Sequence, residues 1–339
     1  MPRFQVSKSH LHKLLILVLA LACFGGIFSL MGLWESHRQR QASLQQQQVD
    51  EAARRRREGW VQFEGEWYSP RQEIETLLVI GVDQLEPFAD SGSYNNNGQA
   101  DFFMLAVFDR RQENMTVLHI NRDTMTQIPV LGVTGQQAGT ITGQLALAHT
   151  YGSGLEDSCE NTVDAVSMLL GGVEIDHYLA MTMSAVPLIN DLVGGVPVTI
   201  LDDFSGIDDS LIAGEEITLK GEQALNYIRA RGGLEDSSNL ARMRRQQQWF
   251  SSFMGQLDLL DPSWVPSKAE LEALSGNIIS DCTINKLRDL AGQYAGYQLL
   301  ELQQVAGEAK EGTEYLEYYP DLPALQSQVL QLFYQKENA

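Results

Sequence analysis

The sequence predicts an α/β protein, a mixed central β-sheet with helices on both faces, preceded by one N-terminal transmembrane helix. Continuous short apolar runs bounded by polar residues read as buried strands, and they alternate with segments whose apolar residues recur at helical spacing. A long uncharged stretch close to the N-terminus supplies the membrane segment.

The chain begins with a tail, residues 1–13, holding Arg3, Lys8 and Lys13 and no acid. Residues 14–33, LLILVLALACFGGIFSLMGL, carry no charge and only Ser29 as a polar side chain, enough as a helix to span about 30 Å. A cleaved signal peptide is the alternative, because Ala20-Leu21-Ala22 before Cys23 resembles a cleavage or lipobox site. The apolar run continues to Leu33, well past that point, which favours a retained anchor. Basic residues before the span against Arg38 and Arg40 after it favour a cytoplasmic N-terminus and an extracytoplasmic remainder. Residues 34–73 read as a stalk, with Gln45–Gln48, the Arg54–Arg57 run as a solvated face, and a short β-ribbon over Gly59–Tyr68.

The main domain is predicted over residues 74–260. Leu77–Val82, Phe103–Phe108 and Met115–Ile120 are strand-like, the last two joined by the polar Asp109–Asn114. Val163, Val166, Leu169 and Leu170 mark a helix over Asn161–Leu170 that Gly171-Gly172 ends, and Tyr178–Met181 is the next strand. Ser184 is expected to N-cap a helix to Leu192, with Gly194-Gly195 at its C-terminus and a strand at Val196–Leu201. Helices follow at 221–231, 240–257, 283–295 and 322–335, so residues 261–339 are expected to be a helical extension packed on the same domain.

With 24 basic and 44 acidic residues the net charge is −20, which argues against a nucleic-acid partner. A hydrophobic fraction of 44% with 20% charged residues excludes global disorder. Three cysteines without a C-x-x-C exclude a disulfide scaffold or a four-thiolate zinc site. Cys159 and Cys282 are readable either as a disulfide or as two separate thiols, and His119 and His149 lack a paired metal-binding spacing.

In so acidic a chain, one constellation stands out. Asp83 directly follows a strand, Asp101 directly precedes one, and Arg122-Asp123 ends a third. Downstream come Arg229, Arg231, Arg242, Arg244 and Arg245. Taken singly, these are surface charges or turn residues. Together they suit a compact anion, since guanidiniums bind phosphate oxygens bidentately while two carboxylates hold Mg²⁺. Phosphoryl transfer needs little beyond that and an aligned nucleophile.

These elements in this order resemble the LytR-CpsA-Psr family of cell-envelope proteins: Gly81-Val82-Asp83, the Asp101 segment, Arg122-Asp123-Thr124, Gly194-Gly195-Val196-Pro197-Val198, Gly221–Arg231 and Arg242–Gln246. The resemblance implies a single-pass, membrane-anchored phosphotransferase that moves a glycopolymer, of teichoic acid or capsular type, from a polyprenyl-pyrophosphate carrier onto peptidoglycan. It implies Mg²⁺ (or Mn²⁺) on Asp83 and Asp101, with Arg122, Arg229, Arg231, Arg242, Arg245 and Gln99 contacting pyrophosphate. Asp123 is then a general base for the acceptor hydroxyl or the holder of Arg122. Gln99 stands where the family usually has Arg, Asn121 where it has Pro and Asn239 where it has Asp, marking a divergent member. Hydrolysis of the same carrier and non-catalytic envelope binding are the alternative functions.

Overall fold

The computed structural model describes residues 40–337 except 42, 43, 48, 133, 262, 263, 265, 295 and 314. The expected tail and transmembrane segment lie outside these residues. Among the described residues, no helix is long and apolar enough to cross a membrane.

Two compact units divide near residue 70, one holding the described residues to Pro70 with 336 and 337, the other Arg71–Gln335. In the first, residues 49–57 are helical, and β1 (Val61–Phe63) pairs antiparallel with β2 (Glu66–Pro70) as the expected ribbon. Its two-residue turn puts Glu64 at φ 50° and Gly65 at φ 84°, the double positive φ that matches the strand twist. The Arg55 guanidinium lies over Trp60 and Trp67, 4.9 and 5.6 Å from the ring centroids.

The second unit is built on a six-stranded sheet. β3 (Ile74–Val82), β4 (Ala100–Asp109) and β5 (Asn114–Ile120) run antiparallel in sequence, and β8 (His177–Thr182) lies parallel to β3. The edges are β11 (Ile278–Ser280), antiparallel to β8, and β12 (Gln298–Gln304), parallel to β5. Period-two alternation splits the strands between two cores. Leu78, Ile80, Val82, Phe103, Leu105 and Val107 pack with Ala165 and Val166 of α1 (Glu156–Leu169) and with Leu325 and Val329 of the C-terminal helix (Leu322–Phe333). On the other face, Met104, Ala106, Met115 and Val117 meet Phe250 and Met254 of the long helix Asn239–Asp258. Burial on both faces explains why these strands read as unbroken apolar runs.

Between α1 and the long helix, α2 (Ala185–Leu192), β9 (Val196–Thr199), β10 (Glu216–Leu219) and α3 (Glu222–Arg229) follow, the long helix being α4. Gly195, at φ 92°, is required after α2, because a Cβ there would lie 2.7 Å from the Leu219 carbonyl oxygen. Ser184 does not cap α2. Its backbone is already helical (φ −68°, ψ −15°), and its hydroxyl donates to the Leu85 carbonyl at 2.6 Å instead.

The segment after residue 260 is more than helix. It supplies both edge strands of the sheet, the hairpin β13–β14 (Gly307–Glu311, Leu316–Pro320) and only then the C-terminal helix. A half-exposed edge strand such as Gln298–Gln304 presents polar residues that mask its period. The hairpin β6–β7 (Met125–Leu131, Gln137–Gln144) is likewise invisible as apolar alternation, with β7 largely exposed. Both Cys159 and Cys282 are free thiols, so the disulfide alternative is not realised.

Candidate functional site

Asp83, Asp101 and Arg122 lie at one end of the sheet, where β3 and β5 finish and β4 begins. The β3–β4 register shifts after Gly81, and the Asp83 N–H donates to the Gln99 carbonyl at 2.8 Å, so both acids are held on adjoining backbone. The loop ahead of β4 is pinned by Asn96. Its amide donates to the His149 carbonyl, the Gly152 carbonyl and the Ser158 hydroxyl at 2.8–3.1 Å, while its oxygen accepts the Gly98 N–H at 2.7 Å. His149 Nδ1 meets the Gly98 carbonyl at 2.8 Å, a positioning contact away from the charged groups.

Asp101 is the hub. Only 5% of its side chain is exposed, Oδ1 accepts from Arg122 Nη1, and Oδ2 accepts from Arg242 Nη1 at 2.7 Å. A carboxylate so buried is tolerable because each oxygen meets a guanidinium. Arg122 also donates Nη2 to Gln99 Oε1 at 2.8 Å, so Gln99 belongs to the arginine-holding network. Arg242, 3% exposed, donates Nη2 to Asn239 Oδ1 at 2.6 Å. Burial, then the neighbouring Arg231 charge, brings its pKa down to about 10, which leaves it protonated at neutral pH. The Arg242 Nε is buried without a hydrogen bond, whereas the buried Arg122 Nε is ion-paired with Asp123.

Asp123 is buried between the site and β14. Arg122 Nε lies 3.2 Å from its Oδ1 and Gln144 Nε2 donates to the same oxygen at 3.3 Å, while its carbonyl accepts the Tyr318 N–H at 2.9 Å. Burial pushes its carboxyl up, against the opposing pull of Arg122, Arg242 and Arg231. Its N–H donates to Asn121 Oδ1 at 2.9 Å. Gln144 is a site-supporting residue that sequence reasoning missed; only the β6–β7 hairpin brings it near Asp123, and no local signal marks it.

Arg229 and Arg231 form an exposed rim at the end of α3. Arg229 reaches Asp83 Oδ1 with Nη2 at 2.9 Å and Nε at 3.1 Å, and is 43% exposed. Arg231 is exposed, and its charge acts on Arg122, Asp123 and Arg242. Arg245, expected with them, is elsewhere. It is wholly buried, with Nη1 on Asp202 at 2.5 Å, Nε on the Tyr227 carbonyl at 2.8 Å, Nη2 on the Ala230 carbonyl, and its guanidinium 5.7 Å from the Phe204 ring centroid. It caps the last carbonyls of α3 and so positions Arg229 and Arg231 without facing an anion itself. Arg244 pairs at the surface with Asp236 at 3.2 Å.

His119 sits deep under this end of β5. Burial above all, and then Arg242, lowers its pKa to about 3, so it is neutral and structural. The carboxylates that could hold a hard cation are Asp83, 37% exposed, and Asp101, whose oxygens each keep a lone pair beyond the single guanidinium contact. Two carboxylate oxygens completed by phosphate and water suit Mg²⁺ or Mn²⁺. Four guanidiniums, Arg122, Arg229, Arg231 and Arg242, therefore face three carboxylates, Asp83, Asp101 and Asp123, giving a site with surplus positive charge in an acidic protein.

Comparison with known proteins identifies the family and the fold. A family model, described as the LytR_cpsA_psr family, matches residues 35–333. A protein of Halalkalibacterium halodurans named polyisoprenyl-teichoic acid–peptidoglycan teichoic acid transferase TagU is 26% identical over 70% of this chain and 71% of its own. The protein of the same name from Oceanobacillus iheyensis is 29% identical over 65% of this chain and 62% of its own. Among solved structures, the LytR-CPS2A-psr family protein YwtF (TagT) with bound octaprenyl pyrophosphate lipid has the same fold. Its TM-score is 0.55 at 19% identity, covering 77% of this chain and 89% of that one.

Proposed function

Because the chain belongs to the LytR_cpsA_psr family, we propose that it is a phosphotransferase that moves a teichoic-acid-type or other glycopolymer from a polyprenyl-pyrophosphate carrier onto peptidoglycan. The observation that carries this reading is the pair Arg122 and Arg242, both held on the one buried carboxylate of Asp101, beside the exposed Arg229 and Arg231. Such donors recognise a compact dianion, and the transferase names of two relatives and the pyrophosphate lipid in a fold neighbour point to the same chemistry.

In this mechanism an acceptor sugar hydroxyl attacks the phosphorus next to the glycopolymer. The bond from that phosphorus to the bridging oxygen breaks, and polyprenyl phosphate leaves with the bond's electron pair. Arg229 and Arg231 draw the pyrophosphate in, while Arg122 and Arg242 stabilise charge on the equatorial and leaving oxygens in a desolvated setting. Asp101 keeps those two guanidiniums at fixed separation, so no reorganisation is needed when charge moves. Asp123 orients Arg122 through Oδ1, and its burial-raised basicity suits it to accept the hydroxyl proton. When bound to Asp83 and Asp101, Mg²⁺ or Mn²⁺ would supply further neutralisation of the phosphate oxygens. Residues 14–33 would anchor the domain on the outer face of the membrane, near its lipid donor.

Calorimetric titration with polyprenyl pyrophosphate and polyprenyl monophosphate tests the reading. The pyrophosphate should bind at least tenfold more tightly; equal affinity would contradict an arginine seat built for two phosphates.

A further inference from the structure

A second cluster of chemistry-bearing side chains lies at the opposite end of the sheet. His177 opens β8, Asp281 and Cys282 directly follow β11, and β8 and β11 are hydrogen-bonded neighbours with Ser280 opposite Leu179. His177 Nδ1 is 3.1 Å from Asp281 Oδ2 and 3.2 Å from Cys282 Sγ, and the three ligand atoms all lie within 4.8 Å of one another. On the far side of the ring, Nε2 faces Glu75 Oε1 at 3.4 Å, from the adjoining strand β3. From the geometry we infer that His177 Nδ1, Asp281 and Cys282 Sγ form a binding site for one Zn²⁺ ion, oriented by Glu75.

The dimensions suit that ion. Tetrahedral zinc with bonds of about 2.0–2.3 Å sets its nitrogen, oxygen and sulfur ligands roughly 3.3–3.6 Å apart, so the two pairs made by His177 need open by only a few tenths of an ångström, and the Asp281–Cys282 pair, within 4.8 Å, adjusts to the same spacing. Glu75 Oε1, 3.4 Å from Nε2, is placed to support the tautomer that leaves the Nδ1 lone pair for metal, the usual arrangement at a zinc-bound histidine. Glu75 is itself held by the Tyr294 hydroxyl, by Lys286 at 3.6 Å and by Arg110 at 3.6 Å. Asp281 is anchored by the Tyr178 N–H at 3.0 Å, and the Cys282 N–H is tied to the Ser280 hydroxyl at 3.1 Å. Soft thiolate, imidazole and carboxylate together select zinc over magnesium or calcium. On binding, the thiol proton and any Nδ1 proton pass to solvent, and no redox step is involved. Three protein ligands leave the fourth position to water.

His177 lies level with Leu77 of β3, roughly 20 Å from Asp83 at about 3.3 Å per residue, so the site joins three strands without touching the anion seat. Its role is to clamp the short edge strand β11 to β8 and β3.

The test uses the full chain, stripped of metal, titrated with Zn²⁺ alone by calorimetry and with Co²⁺ followed by absorption. One Zn²⁺ per chain, a raised unfolding temperature and a thiolate-to-cobalt charge-transfer band are expected. Cys282→Ser should remove the band and weaken zinc at least tenfold, and Glu75→Gln should weaken it about 10- to 100-fold. Cys159→Ser and Asp83→Ala should leave the band in place. Absence of stoichiometric zinc, or zinc binding unchanged in folded Cys282→Ser and Asp281→Asn variants, would overturn the site.

Discussion

Asn239, the first residue of α4, donates its side-chain amide to Asn121 Oδ1 at 2.7 Å, joining the helix to the turn that carries Arg122 and Asp123. Both residues depart from the family pattern, and in sequence each looks like a loss. In space they are partners: Asn121 Oδ1 also receives the Asp123 N–H, and Asn239 Oδ1 receives Arg242 Nη2. The pair links the two elements that hold the buried guanidiniums. Asn121→Ala and Asn239→Ala should each destabilise the fold by about 1–2 kcal/mol, and the double variant should cost less than the sum, by roughly 0.5–1 kcal/mol. Urea denaturation of the four proteins in the cycle measures this; additive losses would mean that the bond carries no coupling.

Removing the Asp101 carboxylate leaves two buried cations without their shared anion. Asp101→Ala should therefore lower stability by about 3–5 kcal/mol, well beyond a purely ligand-facing residue, as well as abolish transfer. Chemical denaturation alongside the transfer assay checks both effects. The paired guanidiniums are the reason to expect so large a loss.

The rim and buried arginines should separate by phenotype. Arg229→Ala and Arg231→Ala should leave unfolding within about 0.5 kcal/mol of the parent but weaken pyrophosphate binding about 10- to 100-fold, the loss of one charge-assisted contact. Arg245→Ala should show the reverse order, a stability loss of several kcal/mol first, since three carbonyl and carboxylate contacts lose their donor. Calorimetric binding and thermal unfolding on the same samples distinguish them.

Asp123 gives a pH signature. Its burial raises the carboxyl pKa above the ordinary range, so the acid limb of the transfer rate should lie above that range and vanish in Asp123→Asn. The sign for stability follows from linkage: a raised folded-state pKa contributes stability below the unfolded pKa and loses it as pH rises through the folded one. Above its folded-state pKa the ionised Asp123 is thus a net cost to the fold, and Asp123→Asn should unfold no more readily than the parent. Rate–pH profiles with matched melting curves test this, and a variant that keeps the acid limb would remove Asp123 from the proton path.

Much of the scaffold was legible because β3, β4 and β5 are covered on both faces and so spell unbroken apolar runs, such as Leu77–Val82. Asp83, Asp101, Arg122, Arg229 and Arg242 were legible because charges at strand and helix ends are conspicuous in a sequence. What stayed hidden depends on long-range pairing. Gln144 meets Asp123 only through the β6–β7 hairpin, and Gln298–Gln304 becomes a strand only by lying beside β5. Arg245 was expected at the anion from its place in the Arg242–Gln246 motif, whereas Asp202 and the carbonyls of α3 draw it inward beside Phe204. Periodicity shows which face an element buries, not which partner fills it.

The most direct test of the central claim is reconstitution: the protein with a synthetic polyprenyl-pyrophosphoryl saccharide, peptidoglycan oligomers and Mg²⁺, products read by mass spectrometry, with EDTA and Arg122→Ala controls. Saccharide phosphate joined to glycan and release of polyprenyl phosphate are expected, both lost with Arg122→Ala. Intact donor, or free saccharide phosphate with no glycan adduct, would contradict it.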